Sequence, residues 1–357
     1  MKVSRRLCLR GLGAILTGGP TSSAAKALEH RRDGVSTQPL GLVIHSYAVR
    51  QRHPEKNLAD PLAFLDHARA LGAAGCQTAL GERDERYVEQ VRQFLDRHQM
   101  YLEGTINLPR DPSDASRFEA QVRSARACGV GILRTVMLSG RRYETFESAD
   151  AVRRFASESF SRLRLAVPIV ERHGMKLAVE NHKDWRSPDL IAILKRIDSP
   201  HVGVCLDTGN SIALLEDPFE VIEQLAPHAL TTHFKDVDLR EYKEGFLLAE
   251  VPLGTGVLDL PRVARTLRAH QPDIRLNLEM ITRDPLKVPC LTPNYWATFE
   301  DLPGRFLAAT LTLARQRGSR EPLPTVSDRT SDDQLRLEDD NIARSLAYAR
   351  QYLAAHS

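Results

Sequence analysis

The stretch "LAVENHKDW" (Leu177–Trp185) begins as a buried strand and ends in a run of polar side chains. Leu177, Ala178 and Val179 suit a strand packed on both faces. Glu180, Asn181, His182, Lys183 and Asp184 follow with no glycine or proline to mark a turn. A carboxylate, an amide and an imidazole at one strand end suggest that this end faces chemistry rather than a neighbouring hydrophobic layer. The test within the sequence is whether other strands end in the same way.

Short apolar strands alternate with helical patterns along most of the chain. "LGLVIHSYAV" (40–49), "GCQTAL" (75–80), "MYLEGTINLP" (100–109) and "GILRTVML" (131–138) precede the opening stretch. "VGVCLDTGN" (202–210), "LTTHFKDV" (230–237) and "RLNLEMI" (275–281) follow it. Between them lie helical spacings such as "PLAFLDHARALG" (61–72) and a long run from Ala149 to His173, closed by Gly174 as a C-capping glycine. Eight strands separated by helices predict an α/β chain: a closed (β/α)₈ TIM barrel over residues 40–317. No G-x-G-x-x-G follows the first strand, which argues against a dinucleotide-binding sheet. The excursion Leu239–Gly256 reads as a loop over the barrel mouth. Residues 318–330 read as a linker, and 332–356 as a charged amphipathic helix. This C-terminal extension is expected either to pack on the barrel or to make a homo-oligomer contact.

The first residues have a separate logic. "SRRLCLR" (Ser4–Arg10), then "GLGAILTGG" and small residues, follow the basic, apolar and small-residue order of a signal peptide. Arg5 and Arg6 give it a twin-arginine character, with Cys8 where that pattern usually carries Phe. The expected signal is residues 1–27, cut after Ala27, with 28–39 as a linker and a periplasmic or otherwise exported product. Residues 1–27 hold five Lys/Arg and no Asp or Glu; of 49 basic and 46 acidic side chains, 44 and 46 remain, a net of −2. The surplus of positive charge therefore belongs to the leader, and a globally cationic surface for nucleic acid is not supported. No run approaches a membrane span. Cys76, Cys128 and Cys205 read as buried small hydrophobes, and the cysteine spacings single out no disulfide.

Four strands end in residues that a barrel core would not choose: Glu180 on the fifth, Asp207 on the sixth, His233 on the seventh and Glu279 on the eighth. Strand C-termini of a TIM barrel face the active site, so these side chains converge there. Three acids brought together repel unless a cation lies among them. Three carboxylates with one imidazole suit a divalent metal such as Mn²⁺, with Mg²⁺, Co²⁺ or Zn²⁺ as alternatives. A divalent ion acting as Lewis acid acidifies the C–H beside a carbonyl, and carboxylates on opposite faces then serve as base and acid. His182, two residues past Glu180, shares its face by period-two geometry and can hold a hydroxyl or oxyanion. His45, Glu103, Asn210, Lys235 and Arg283 are further candidate substrate contacts, with Asp236 as an orienter of Lys235. Trp185 and Trp296 read as core packing before any sugar platform.

"LAVENH", "VCLDTGN", "THFKD" and "LNLEM", in that order, resemble the xylose isomerase-like barrels of the sugar phosphate isomerase/epimerase superfamily. The resemblance implies that Glu180, Asp207, His233 and Glu279 bind one metal, which holds two oxygens of a sugar or keto-sugar. It implies too that Glu180 and Glu279 trade a proton beside the carbonyl, as in an isomerase or epimerase. The same first step serves a lyase or hydratase that opens 3-keto-glycosides by β-elimination. An endonuclease of the superfamily needs a multinuclear zinc cluster with histidines on earlier strands, whereas here those strands end "QTAL" and "INLP". A catalytically silent sugar-binding barrel is the remaining alternative.

Overall fold

A computed structural model of the chain describes residues 40–354. The expected signal peptide (1–27) and linker (28–39) lie outside the described residues. The strands are β1 Leu40–Val43, β2 Gly75–Ala79, β3 Tyr101–Thr105, β4 Ile132–Thr135, β5 Lys176–Glu180, β6 Val202–Asp207, β7 Ala229–His233, β8 Asp236–Tyr242, β9 Gly245–Val251, β10 Leu276–Leu278 and β11 Leu286–Val288. β1 to β7 and β10 form one parallel eight-stranded sheet with β10 beside β1. The seam between β7 and β10 is closed by a parallel bridge, Phe234 to Leu278, with Phe234 N–H on Asn277 O (2.7 Å) and Glu279 N–H on Phe234 O (3.1 Å). The predicted TIM barrel is the observed fold.

The strands form here because alternate residues have two different destinations. Leu102, Leu133, Leu177, Val179, Val204, Leu206, Leu276 and Leu278 are buried in the hydrophobic core. Residues of the opposite parity point to the barrel axis and include the polar Gln77, Glu103, Arg134, Thr231 and Asn277 beside the smaller apolar Val43, Ala178 and Cys205. Glu103 Oε2 accepts from Gln77 (3.1 Å), Thr231 (2.7 Å) and Asn277 (3.1 Å). The barrel interior is thus a hydrogen-bonded polar stack rather than the usual layers of branched aliphatics. Helix boundaries follow local chemistry: Asp60 caps Pro61–Ala70, Ser148 caps Ala149–Arg172, and Gly174 takes φ 61° just beyond the latter.

Two expectations change. The first strand stops at Val43 and Ile44–Tyr47 turns as a 3-10 helix, so His45 sits on that turn and not on a strand. The excursion after the seventh strand is no loop: β8 and β9 pair as a hairpin from Asp236↔Val251 to Tyr242↔Gly245, and β11 adds a third antiparallel strand. Its alternation is hidden because "DVDLREY" carries charge on its solvent-facing positions. The C-terminal helix, Ser331–Tyr352, buries Ile342, Leu346 and Ala349 against the main hydrophobic core, as the packing alternative expected. No helix among the described residues is long and apolar enough to cross a membrane.

Candidate metal centre

Glu180 is the last residue of β5, Asp207 of β6 and His233 of β7, while Glu279 stands one past β10. Leu230 is bulged between Val204↔Ala229 and Cys205↔Thr231, and the shifted register sets Asp207 beside His233. One ligand atom from each of the four lies within 4.8 Å of the others, and all four residues are buried. The four strand-end residues expected from the sequence thus lie together.

The tautomer of His233 follows from its neighbours. The Gln77 amide nitrogen must face the Glu103 carboxylate, so its oxygen faces His233 Nε2 at 2.7 Å and that nitrogen must donate. His233 Nδ1 is then free to be a ligand. It is buried without a hydrogen-bond partner, 3.2 Å from Glu279 Oε1 and 3.4 Å from Glu180 Oε2. Among the protein groups alone, burial opposes charge on the ring, but Cys205, Glu279 and Glu180 outweigh it and raise the His233 pKa well above the usual imidazole value, so that this nitrogen carries a proton toward the two carboxylates. A divalent cation would take the place of that proton, and the donor set of three carboxylates and one imidazole fits such an ion. Asp207 Oδ1 is taken by the N–H groups of Gly209 (2.9 Å) and Asn210 (2.8 Å), which turns Oδ2 toward the cluster. Oδ2 has no well-directed hydrogen bond, although Lys235 Nζ lies 2.8 Å away; we read this contact as ionic.

Cations brace the acids from the side. Arg134, on β4, grips Glu180 Oε2 through Nε (2.7 Å) and Nη2, and Asn210 Nδ2 donates to Glu180 Oε1 (3.1 Å). Burial opposes charge on Glu180, but Arg134 and then His233 hold its carboxyl well below the usual range. At Glu279 burial is likewise outweighed, by His233 and Lys235. Burial pushes Asp207 up to about 6 against the pull of Lys235. Lys235 Nζ donates to Glu279 Oε2 (2.5 Å) and lies 3.5 Å from Glu250 Oε1, while His45 Nδ1 is 3.2 Å from Glu279 Oε1.

A cavity opens above the cluster, lined by His45, Arg134, Glu180, His182, Lys183, Lys235, Glu279 and Arg283. His182 lines it with an unpartnered Nδ1, and burial, then Lys183, lower its pKa to about 3, so the ring is neutral. Arg283 reaches the cavity and donates to Glu250 Oε1 (2.7 Å). Glu103 does not reach it: the carboxylate is fully buried in the polar stack below. Glu103 is instead the second link of a chain that holds His233. Asn210 spends its side chain between Lys183 and Glu180 instead of facing the cavity. Asp236 does not orient Lys235; its carboxylate gathers the N–H groups of Val237, Gly254, Gly256 and Leu258. Trp185 stacks on Phe155 at 5.3 Å, and Trp296 donates to Cys290 O. Cys76, Cys128, Cys205 and Cys290 are free and buried.

Arg134, Gln77, Lys183 and Glu250 were missed from the sequence. For Arg134 a signal existed: a guanidinium between Leu133 and Thr135, inside a strand otherwise fit for burial, needs a buried partner.

A parallel eightfold barrel carries at its strand C-termini a buried cluster of three acids and one histidine that could hold a metal ion. Residues 65–297 match the xylose isomerase-like TIM barrel family, and the chain belongs to it. It is 34% identical over 247 residues to a 3-oxo-isoapionate decarboxylase of Pectobacterium atrosepticum, covering 67% of this chain and 84% of that protein. Among solved structures, a xylose isomerase-like barrel protein from Mycobacterium smegmatis in complex with magnesium superposes with TM-score 0.55 at 16% identity, covering 79% of this chain and 99% of that one. An L-ribulose 3-epimerase does so at 0.51 and 14% identity, covering 89% and 99%. At such identities these two structures speak for the fold alone.

Proposed function

We propose that the protein is a divalent-metal-dependent enzyme of oxidised sugars that works through an enediolate beside a sugar carbonyl. The observation that carries this reading is the convergence of Glu180, Asp207, His233 and Glu279 within 4.8 Å beneath a polar cavity. Mn²⁺ is the expected ion, with Mg²⁺, Co²⁺ or Zn²⁺ as alternatives; once bound by these four residues it supplies a Lewis acid for the carbonyl.

The chain's own residues supply the proton handling. Glu279 faces the cavity with His45 at 3.2 Å, and His45 is 38% exposed, which makes a path from the carboxylate to solvent. Glu180, held by Arg134 and Asn210, stands opposite as the second carboxylate. In the isomerase or epimerase exit, Glu279 removes the proton beside the carbonyl and Glu180 returns one to the other face. His182, neutral and unpartnered at Nδ1, is suited to a substrate hydroxyl.

A second reading is favoured by the 34% identity to a decarboxylase. In a 3-oxo sugar acid the bond to the carboxylate breaks, its electron pair enters the enediolate, CO₂ leaves, and the enediolate takes one proton. Expulsion of a β-substituent from a 3-keto-glycoside is the third exit.

Protein supplied with Mn²⁺ in deuterated water separates these exits. Deuterium at one carbon with all carbons retained marks proton transfer, CO₂ release marks decarboxylation, and aglycone release marks elimination. Glu279→Gln is expected to lower turnover at least ~100-fold while leaving the fold intact, the scale of a lost general base. Full activity in that variant removes Glu279 from the mechanism. We propose further that the enzyme works outside the cytoplasm, which cell fractionation with Arg5→Lys/Arg6→Lys as the control tests.

A further inference from the structure

The cations around the mouth differ in what compensates them. Arg134 is paired with Glu180, Lys235 with Asp207 and Glu279, and Arg283 with Glu250. Lys183 lines the same cavity and is 3% exposed, yet among the described residues no carboxylate lies within ion-pair distance of it. Its ammonium donates to the Asn210 amide oxygen. The neighbouring acid in sequence is no partner: Asp184 is buried and accepts from the Leu138 N–H (3.2 Å) and the Trp185 N–H (2.9 Å). Burial, then the like charges of Lys235 and Arg283, outweigh the more distant pull of Asp207 and Glu250 on Lys183.

A buried ammonium whose hydrogen-bond partner is an amide, with carboxylates acting on it only from beyond ion-pair distance, is a poor choice for stability, because desolvation of the charge is left largely uncompensated. A methionine would fill the same space. The position gains from charge only if something negative enters the cavity. We infer that Lys183 is the receptor for a carboxylate of the substrate, so that the site takes a sugar acid in preference to a neutral sugar. The inference rests on the oxidised-sugar reading above and narrows its substrate class. A phosphate is the poorer fit, since it is usually met by several converging backbone N–H groups at a helix start. Here one ammonium is unpaired, with Arg283 as the nearest support.

Binding of inert ligands tests this without relying on turnover. Calorimetric titration of Mn²⁺-supplied protein would compare a four-carbon aldonate, erythronate, with the matched neutral polyol, erythritol, and with inorganic phosphate. The aldonate is expected to bind wild type at least ~10-fold tighter than the polyol, as one charge-assisted hydrogen bond allows. Lys183→Met is expected to weaken the aldonate by roughly 10- to 100-fold with polyol binding unchanged, and Lys183→Arg to retain most of the preference. Aldonate preference that survives in Lys183→Met overturns the assignment, as does equal binding or no binding of the two ligands by wild type. Loss of both ligands alike in Lys183→Met reduces Lys183 to a brace for Asn210. Phosphate displacing the aldonate at lower concentration would replace carboxylate by phosphate. Turnover of a 3-oxo sugar acid, read as deuterium uptake or CO₂ release, is a separate arm: absence of both beside an intact aldonate preference removes the enediolate reading and leaves the receptor.

Discussion

Lys183 carries a cost that the folded chain can be made to reveal. Burial, then Lys235 and Arg283, lower its pKa from 10.5 to about 8. Between about pH 8 and 10.5 the unfolded chain keeps the proton that the folded chain has released, so stability rises with pH across that window. Below about pH 8 the penalty is complete, on the order of 3 kcal/mol from the size of the shift. Lys183→Met is therefore expected to melt at the same temperature as wild type or higher at pH 7. The difference should shrink toward pH 10, measured by thermal unfolding of both proteins. A variant that melts several degrees lower at pH 7 would mean that the bond to Asn210 outweighs the buried charge. Arg134 should behave in the opposite sense. Removing it as Arg134→Met strands a buried carboxylate at Glu180, a loss of about 3–5 kcal/mol for a broken buried pair. The same residue type, a buried cation, thus stabilises where it has a carboxylate and serves ligands where it has none.

At the scale of elements, the C-terminal helix Ser331–Tyr352 is tied to loops that carry site residues. Glu338, fully buried, accepts from the N–H groups of Val49 (2.6 Å) and Arg50 (3.1 Å), directly after the turn that bears His45. Asn341 donates to Thr282 (3.0 Å), and the Val326 and Ser327 N–H groups reach Asp284, so Arg283 is pinned on both sides. Glu338→Ala leaves two buried or half-buried donors without acceptors, at about 1–3 kcal/mol for each unmet group. We expect a lower melting temperature and a raised KM, with Mn²⁺ affinity unchanged in calorimetry because no metal-cluster residue touches the helix. Altered metal affinity would show that the helix acts on the cluster itself. The sequence showed this helix and its amphipathic face, but not its partners. The strand order and the four strand ends were also legible, since they follow from local periodicity and the geometry of one fold. What stayed hidden depends on long separations: Gln77 meets His233 across 156 residues, and Glu338 meets Val49 across 289. The hairpin Asp236–Val251 was hidden for a local reason, its charged outer face imitating a loop.

For the molecule as a whole, the barrel seam and the candidate metal centre are the same place. β7 and β10 meet through the Phe234–Leu278 bridge, and two residues next to it in the chain, His233 before Phe234 and Glu279 after Leu278, are cluster members. An ion bound by these residues would link the two sides of this seam, and it would bind the folded chain alone because the unfolded chain has no such convergence. At 100 times its dissociation constant such a ligand adds about 2.7 kcal/mol. The stabilisation should not be uniform, since β2 and β3 already share a ladder from Gly75↔Tyr101 to Ala79↔Thr105. Amide hydrogen exchange of chelator-treated protein, with and without added Mn²⁺, is expected to slow most at the Phe234 and Glu279 N–H groups. The β2 and β3 amides should change little. In His233→Ala, which removes one side of the link, Mn²⁺ should leave the exchange at Phe234 and Glu279 nearly unaltered. Equal slowing over all eight strands would mean that the ion stabilises the barrel globally, and protection that persists in His233→Ala would place the ion elsewhere.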